Sequence, residues 1–312
     1  MPEKIIIDTD PGVDDIMAMF FALQSPELEV LGLTTVFGGG LKADTALNAI
    51  RVVETAGRPD IPVVAGADRP LLLSRRREMG WPGHGEDRLG NMGDHLPQPK
   101  GRPIAKRAAE FIIETVMARP GEVTLVPIGP FTNIALALRL EPRLVQNVKQ
   151  VVVMGGSAYR GGNASAVAEA NIFNDPHAAK IVFEAGWPMV MAGLDVTWDY
   201  FALPALFEEI AALKTPVSDF ISAIYPCYRD AQALPGGAIG IPDLHAVAYV
   251  VDPGLYRVRR MPVIVEAEGP LRGITAVDQR PFGPETPAVD VILGVDGPRL
   301  EALFKERIGK YR

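Results

Sequence analysis

Short apolar runs, each followed by a stretch with helical spacing, recur through the first two thirds of the chain. The runs predict strands at 4–8, 28–36, 123–128, 150–154 and 188–194, and the stretches between them predict helices at 14–23, 41–56, 132–140 and 175–185. Alternation of this kind specifies an α/β fold with a mostly parallel central sheet flanked by helices, Rossmann-like in plan. Residues 69–103 break the rhythm. Gly, Pro, His and Arg crowd them without a period, as in a long excursion over the rim of the sheet, and loops of that length are often functional. Beyond Phe201 a helical pattern runs to about Ala233, strand-like runs follow at 262–266 and 288–293, and a helix closes the chain from Arg299. No linker, low-complexity run or internal repeat divides these parts, so residues 1–312 are expected to form a single domain.

Composition narrows the picture. With 312 residues and 48% hydrophobic content the chain can bury a large core. No uninterrupted apolar stretch is long enough to span a bilayer, the start MPEKIII lacks the features of a secretory signal, and one cysteine, Cys227, excludes an internal disulfide framework. A cytoplasmic location is the expectation. The net charge of −7 argues against a broad nucleic-acid footprint, and the only basic cluster, Arg75-Arg76-Arg77, reads as a solvated loop.

Charge is concentrated instead at the end of the first predicted strand, where Asp8, Asp10, Asp14 and Asp15 share one turn. In an open α/β sheet, ligands bind outside the carboxyl ends of strands. Pro11-Gly12 turns the chain into a helix whose N-terminus favours negative charge, so Asp10 as a cap and Asp14 or Asp15 in the first turn would account for one or two acids. The rest would repel one another unless neutralised. A hard divalent cation, Ca²⁺ or Mg²⁺ rather than Zn²⁺ because no Cys or His lies close in sequence, is the economical partner.

Two resemblances compete for this turn. Asp8-Thr9-Asp10 resembles the nucleophile and general acid of haloacid dehalogenase-type phosphohydrolases, but Gly12 stands where that motif expects Thr or Val, and Asp14-Asp15 is left without a role. DTDPGVDD, residues 8–15, is similar to the signature of the nucleoside hydrolase family, which cuts the N-glycosidic bond of ribonucleosides with a tightly held Ca²⁺. This second resemblance extends from Lys4 to about Tyr256. It includes LVPIGPFTNIA at 125–135, NASAVAEAN at 163–171 and PDLHAVAY at 242–249.

The nucleoside hydrolase resemblance implies Ca²⁺ held by Asp10, Asp15, Asp243 and the Ile128 carbonyl, a water deprotonated by Asp10, and Asp14 on the 2′-hydroxyl. It further implies Asn163 and Glu169 on the 5′-hydroxyl and Asn171 on the ring hydroxyls, with Asp8 left as a structural acid. Read without the family, Asp243 after a proline looks like a helix N-cap, and Asn163-Ala-Ser is a glycosylation sequon without meaning in the cytoplasm. His84, in GHGEDRLG, resembles the family's loop histidine and would contact the base. The products would be free base and ribose, the role nucleobase salvage, the substrate a small ribonucleoside, and the assembly a homodimer or homotetramer.

The chain departs from the family pattern at several positions. Pro242 stands where many members carry the histidine that protonates the leaving base, Gly39 where an asparagine is common, and Ala170 where a larger residue is frequent. His245 is a weak substitute for the missing donor. Tyr225 or Tyr228 could stack on a base, the other packing in the core. These departures keep two alternatives open: a hydrolase of another N-ribosyl compound, and a ribose- or nucleoside-binding protein that lacks the leaving-group acid.

Overall fold

The computed structural model describes residues 1–40, 44–74, 81–280 and 286–312. The strands are β1 (Glu3–Thr9), β2 (Leu28–Thr35), β3 (Val63–Ala65), β4 (Val123–Pro127), β5 (Gln150–Met154), β6 (Met189–Ala192), β7 (Tyr256–Val265), β8 (Thr275–Val277) and β9 (Ala288–Val295). Among the described residues they form one sheet in the order β3-β2-β1-β4-β5-β6-β9-β7-β8. Every pairing is parallel except those of β7, which runs antiparallel to β9 and β8.

The α-helices are α1 (Val13–Leu23), α2 (Thr45–Thr55), α3 (Ala108–Met117), α4 (Thr132–Leu140), α5 (Leu144–Asn147), α6 (Ala170–Asn174), α7 (Pro176–Phe183), α8 (Leu194–Thr197), α9 (Pro204–Ala211), α10 (Pro216–Gln232), α11 (Pro242–Val251) and α12 (Gly297–Ile308). None of the described helices is long and apolar enough to cross a membrane.

Alternate side chains of each strand enter opposite faces, which is why the central strands read as continuous apolar runs. Ile5 and Ile7 join a core with α1, α2, α10, α11 and α12, whereas Ile6 joins a second core with α3, α4 and α7. The order of the strands fixes the site. From β1 the chain winds outward through β2 to β3, then returns to place β4 on the other side of β1. A crevice opens where the winding reverses, at the carboxyl ends of β1 and β4, and the acidic turn and Ile128 both lie there.

Several boundaries differ from the sequence pattern for identifiable reasons. The expected helix 201–233 is two helices: Lys214 takes a left-handed φ of 54°, Thr215 caps α10 by accepting from the Ser218 amide, and Pro216 restarts the helix. Strand β7 begins at Tyr256, not 262, because its first half is a charged segment, Arg257 to Arg260, left exposed on a strand paired antiparallel with β9. β3, of three residues, is too short to show a period, whereas α3 has buried positions Ala108, Ala109, Ile112 and Val116 at helical spacing. The first residues of the expected helix 41–56 and the cluster Arg75-Arg76-Arg77 lie outside the described residues; α2 itself starts at Thr45.

Asp8 ties the first strands together. Fully buried, it accepts from Thr34 Oγ1 at 2.5 Å and Asn133 Nδ2 at 2.8 Å, both through Oδ1, while Oδ2 has no partner among the described residues. Burial lifts its carboxyl from 3.8 to about 7. A folded carboxyl that keeps its proton until pH 7 gives stability that is complete below the unfolded pKa and lost as pH rises through the folded one. Asp8→Asn therefore flattens the fall in unfolding free energy between pH 4 and 8 by up to about 4 kcal/mol. Denaturant titrations across that range check it, and parallel curves for the two proteins contradict it.

Candidate active site

The turn after β1 delivers its acids by local hydrogen bonding. Gly12, not Asp10, is the N-cap of α1, which corrects the capping reading of Asp10. Asp15 reaches back from the first turn: its Oδ2 accepts from the Gly12 amide at 3.0 Å and its Oδ1 from Thr9 Oγ1 at 2.6 Å. A further acid arrives from far along the chain. Asp243 lies in the first turn of α11, which packs beside α1, and it makes no cap bond because Ile241 is the cap residue.

Asp14, Asp15 and Asp243 each offer an oxygen within 4.8 Å of the others, and all are buried. Two helix N-termini favour this charge, yet burial dominates. It pushes Asp10 and Asp243 well above the usual carboxylate range and Asp14 to about 7, with neighbouring carboxylates raising each further. A proton or a cation must compensate such a cluster.

One cation comes from the chain itself. Arg88 lies on the long loop, is 5% exposed, and places Nη2 2.8 Å from Asp10 Oδ2 and 3.5 Å from Asp15 Oδ2. Its side chain runs over two glycines: a Cβ on Gly38 would stand 2.8 Å from Arg88 Cδ, and one on Gly12 would stand 2.8 Å from Nη2. Sequence reasoning missed Arg88. A single Arg in a polar loop carries no period, and only the surrounding glycines hinted at a tight backbone.

The same loop supplies the apolar wall. Trp81, His84 and Tyr228 of α10 meet ring to ring, with centroids 5.2 Å (Trp81–His84), 5.0 Å (Trp81–Tyr228) and 5.5 Å (His84–Tyr228) apart. The Tyr228 hydroxyl lies beside the Asp14 carboxyl and favours its charged form. Tyr225, one turn earlier, stacks instead on Phe207 at 4.0 Å and belongs to the core. Asp87 holds the loop's shape, accepting from the amides of Leu89, Asn91 and Gly93 at 2.7–2.9 Å, while Asn48 and Arg51 of α2 donate to the carbonyls of Asp87 and Gly93.

The segment 163–171 is arranged by its own hydrogen bonds. Glu169 caps α6, accepting from the amides of Asn171 and Ile172 and from that of Gly156, and burial raises it to about 7. Asn171 Nδ2 donates to the Ile128 carbonyl at 2.8 Å and to that of Met154 at 3.1 Å. Asn163 is exposed and accepts from the Ala170 amide at 2.9 Å. Thus Asn171 and Ile128 meet directly, and Glu169 and Asn163 frame the same short helix. His245 is fully buried against Tyr256 and lowered to about 3 by that burial, so it supplies no proton in place of Pro242.

The inosine-uridine preferring nucleoside hydrolase family description matches residues 5–302. An inosine-uridine preferring nucleoside hydrolase of Leishmania major is 40% identical, over 99% of this chain and 99% of that protein. Among solved structures, a plant nucleoside hydrolase is similar with a TM-score of 0.93 and 34% identity, covering 99% of this chain and all of that one. A purine-preferring ribonucleoside hydrolase from Gardnerella vaginalis follows with a TM-score of 0.91 and 33% identity, covering 98% of each chain.

The hydrogen bond from the Val13 amide to His84 Nδ1, at 3.2 Å, leaves the ring proton on Nε2. Burial and the neighbouring Arg88 hold His84 well below its usual 6.5. Nitrogen-detected NMR should find the neutral Nε2–H tautomer at pH 6, and a cationic ring there would contradict the assignment.

Proposed function

The chain belongs to the inosine-uridine preferring nucleoside hydrolase family, and from that premise we propose that it hydrolyses the N-glycosidic bond of ribonucleosides to free base and ribose, with Ca²⁺ as cofactor. The convergence of Asp14, Asp15 and Asp243, buried and within 4.8 Å of one another at the switch point of the sheet, is the observation that carries this reading. The donor set is all oxygen, which suits a hard divalent cation, and the Asp14 Oδ1 beside it is buried without a hydrogen-bond partner, open to a sugar hydroxyl. The cation's proposed ligands are Asp10, Asp15, Asp243 and the Ile128 carbonyl. That carbonyl already accepts from Asn171 and has a second lone pair to give. When bound, the ion acidifies water and polarises vicinal hydroxyls.

The protein's own groups do the rest. Asp10 accepts the proton of the attacking water as the C1′–O bond forms and the C1′–N bond breaks, in a transition state with oxocarbenium character like that of glycosidases. Asp14 accepts from the 2′-hydroxyl, Asn171 offers its remaining Oδ1 to the ring hydroxyls, and Asn163 with Glu169 grips the 5′-hydroxyl. Binding energy from these hydroxyls is directed at the reacting bond. Pro242 has no proton to give, so the neutral Nε2–H of His84 meets the departing base, against the wall of Trp81 and Tyr228. The phosphohydrolase reading is disfavoured because Asp8, its nucleophile, is fully buried with Oδ1 engaged by Thr34 and Asn133. A cytoplasmic homodimer or homotetramer remains part of the proposal, carried by the family resemblance alone.

Incubation with a panel of purine and pyrimidine ribonucleosides should release ribose. Chelation and Asp10→Asn should each abolish that release, with losses of about 100-fold or more for the general base. Binding without ribose release across the panel would instead favour a binding protein. Asp15→Ala should lose bound calcium and ribose affinity together, and an undiminished metal content would overturn its assignment as ligand.

A further inference from the structure

We propose that Arg88 is a built-in counter-cation of the acid cluster, competing with the divalent ion for Asp10 and Asp15, so that ion binding and withdrawal of this guanidinium are a single coupled event. The inference rests on the reading of these acids as metal ligands and adds a residue that opposes the metal.

Three observations converge on it. Arg88 is almost wholly buried and its Nη2 contacts the two carboxylates that would ligate the ion, at 2.8 and 3.5 Å. A positive group at that distance from both acids repels a second cation strongly, because the low local dielectric screens little. Second, the guanidinium is incompletely satisfied: Nε is buried with no hydrogen-bond partner among the described residues. A fork with a buried, unsatisfied donor is held mainly by the charge it neutralises, and an ion that takes over those carboxylates removes its reason to stay.

Third, the approach is shaped for this side chain. Gly12 and Gly38 leave the space through which it passes, and any Cβ at either position would stand closer than 3.0 Å to it. The backbone of Arg88 is itself in the left-handed region, φ 62°, which costs a non-glycine residue about 1 kcal/mol. Asp87, which binds the amides of Leu89, Asn91 and Gly93, holds the loop in place despite that strain. The anchor is therefore fixed and the movable part is the side chain.

Competition of this kind reduces apparent ion affinity by the fraction of protein in which the acids are free. Arg88→Met keeps the stem and the backbone strain while removing the charge; Arg88→Gly removes both charge and strain. Calcium titration calorimetry on demetallated wild type and both variants, with thermal unfolding in EDTA and in saturating Ca²⁺, tests the proposal. Both variants should bind Ca²⁺ at least about tenfold more tightly. Arg88→Met should melt several degrees lower in EDTA yet match wild type in Ca²⁺, so the calcium-induced shift widens. Should Arg88→Met fail to fold in EDTA, Arg88→Gly and the calcium concentration that restores folding give the same comparison. Equal or weaker affinity in the variants, or unchanged stability of Arg88→Met in EDTA, overturns the proposal while leaving the metal reading intact. Absence of Ca²⁺ binding by wild type and variants alike removes the metal reading, and the proposal with it.

Discussion

Four carboxylates buried in one crevice must be neutralised, and much of this structure can be understood as the means of doing so. Asp10, Asp14, Asp15 and Asp243 are each less than 10% exposed, a condition that is strongly unfavourable for unpaired anions. The fold answers with two helix N-termini, with the Thr9 hydroxyl and Gly12 amide on Asp15, and with the Tyr228 hydroxyl on Asp14. Arg88 supplies the full positive charge. The residual demand for charge is what suits the crevice to the cation proposed for it.

The architecture explains how residues so distant in sequence meet. β1 sits between β2 and β4, where the winding of the sheet reverses, so the turn after β1 and the Gly-Pro segment after β4 face the same crevice. α11 packs beside α1 and brings Asp243 to Asp15. The long loop then covers the crevice from the side of α10, with Gly90 passing close to the Ile224 carbonyl, where a Cβ would stand 2.9 Å away. Its φ of 64° adds to the reason for glycine there. Trp81, His84 and Arg88 thus ride on one loop, clamped by Asp87, Asn48 and Arg51.

What the sequence reveals follows from what has a period or a motif. The parallel strands are buried on both faces and read directly as apolar runs, and the turn acids stand out because no ordinary solvated loop concentrates them so. β7 is hidden by its exposed arginines, and the break before α10 depends on one left-handed residue, Lys214. In the site, the acids and His84 were visible through a linear motif. Their hydrogen-bond partners were less so: the bond from Asn171 to the Ile128 carbonyl spans 43 residues. Arg88 was invisible, since its role depends on a three-dimensional path between Gly12 and Gly38 that no spacing encodes. Asp243 as a helix cap was the wrong reading for a similar reason, because α11 starts at Pro242 with Ile241 as its cap residue, two residues earlier than a cap at Asp243 requires.

The central claim is that these acids exist to hold a divalent cation that displaces an internal one. A crystal structure of the protein soaked in Ca²⁺ or Mn²⁺, with anomalous scattering to locate the ion, tests it most directly. The account predicts one fully occupied ion bound by carboxylate oxygens of Asp10, Asp15 and Asp243 and by the Ile128 carbonyl, with the Arg88 guanidinium withdrawn from Asp10. An empty cluster, or an ion bound elsewhere while Arg88 keeps its 2.8 Å contact with Asp10, would contradict it.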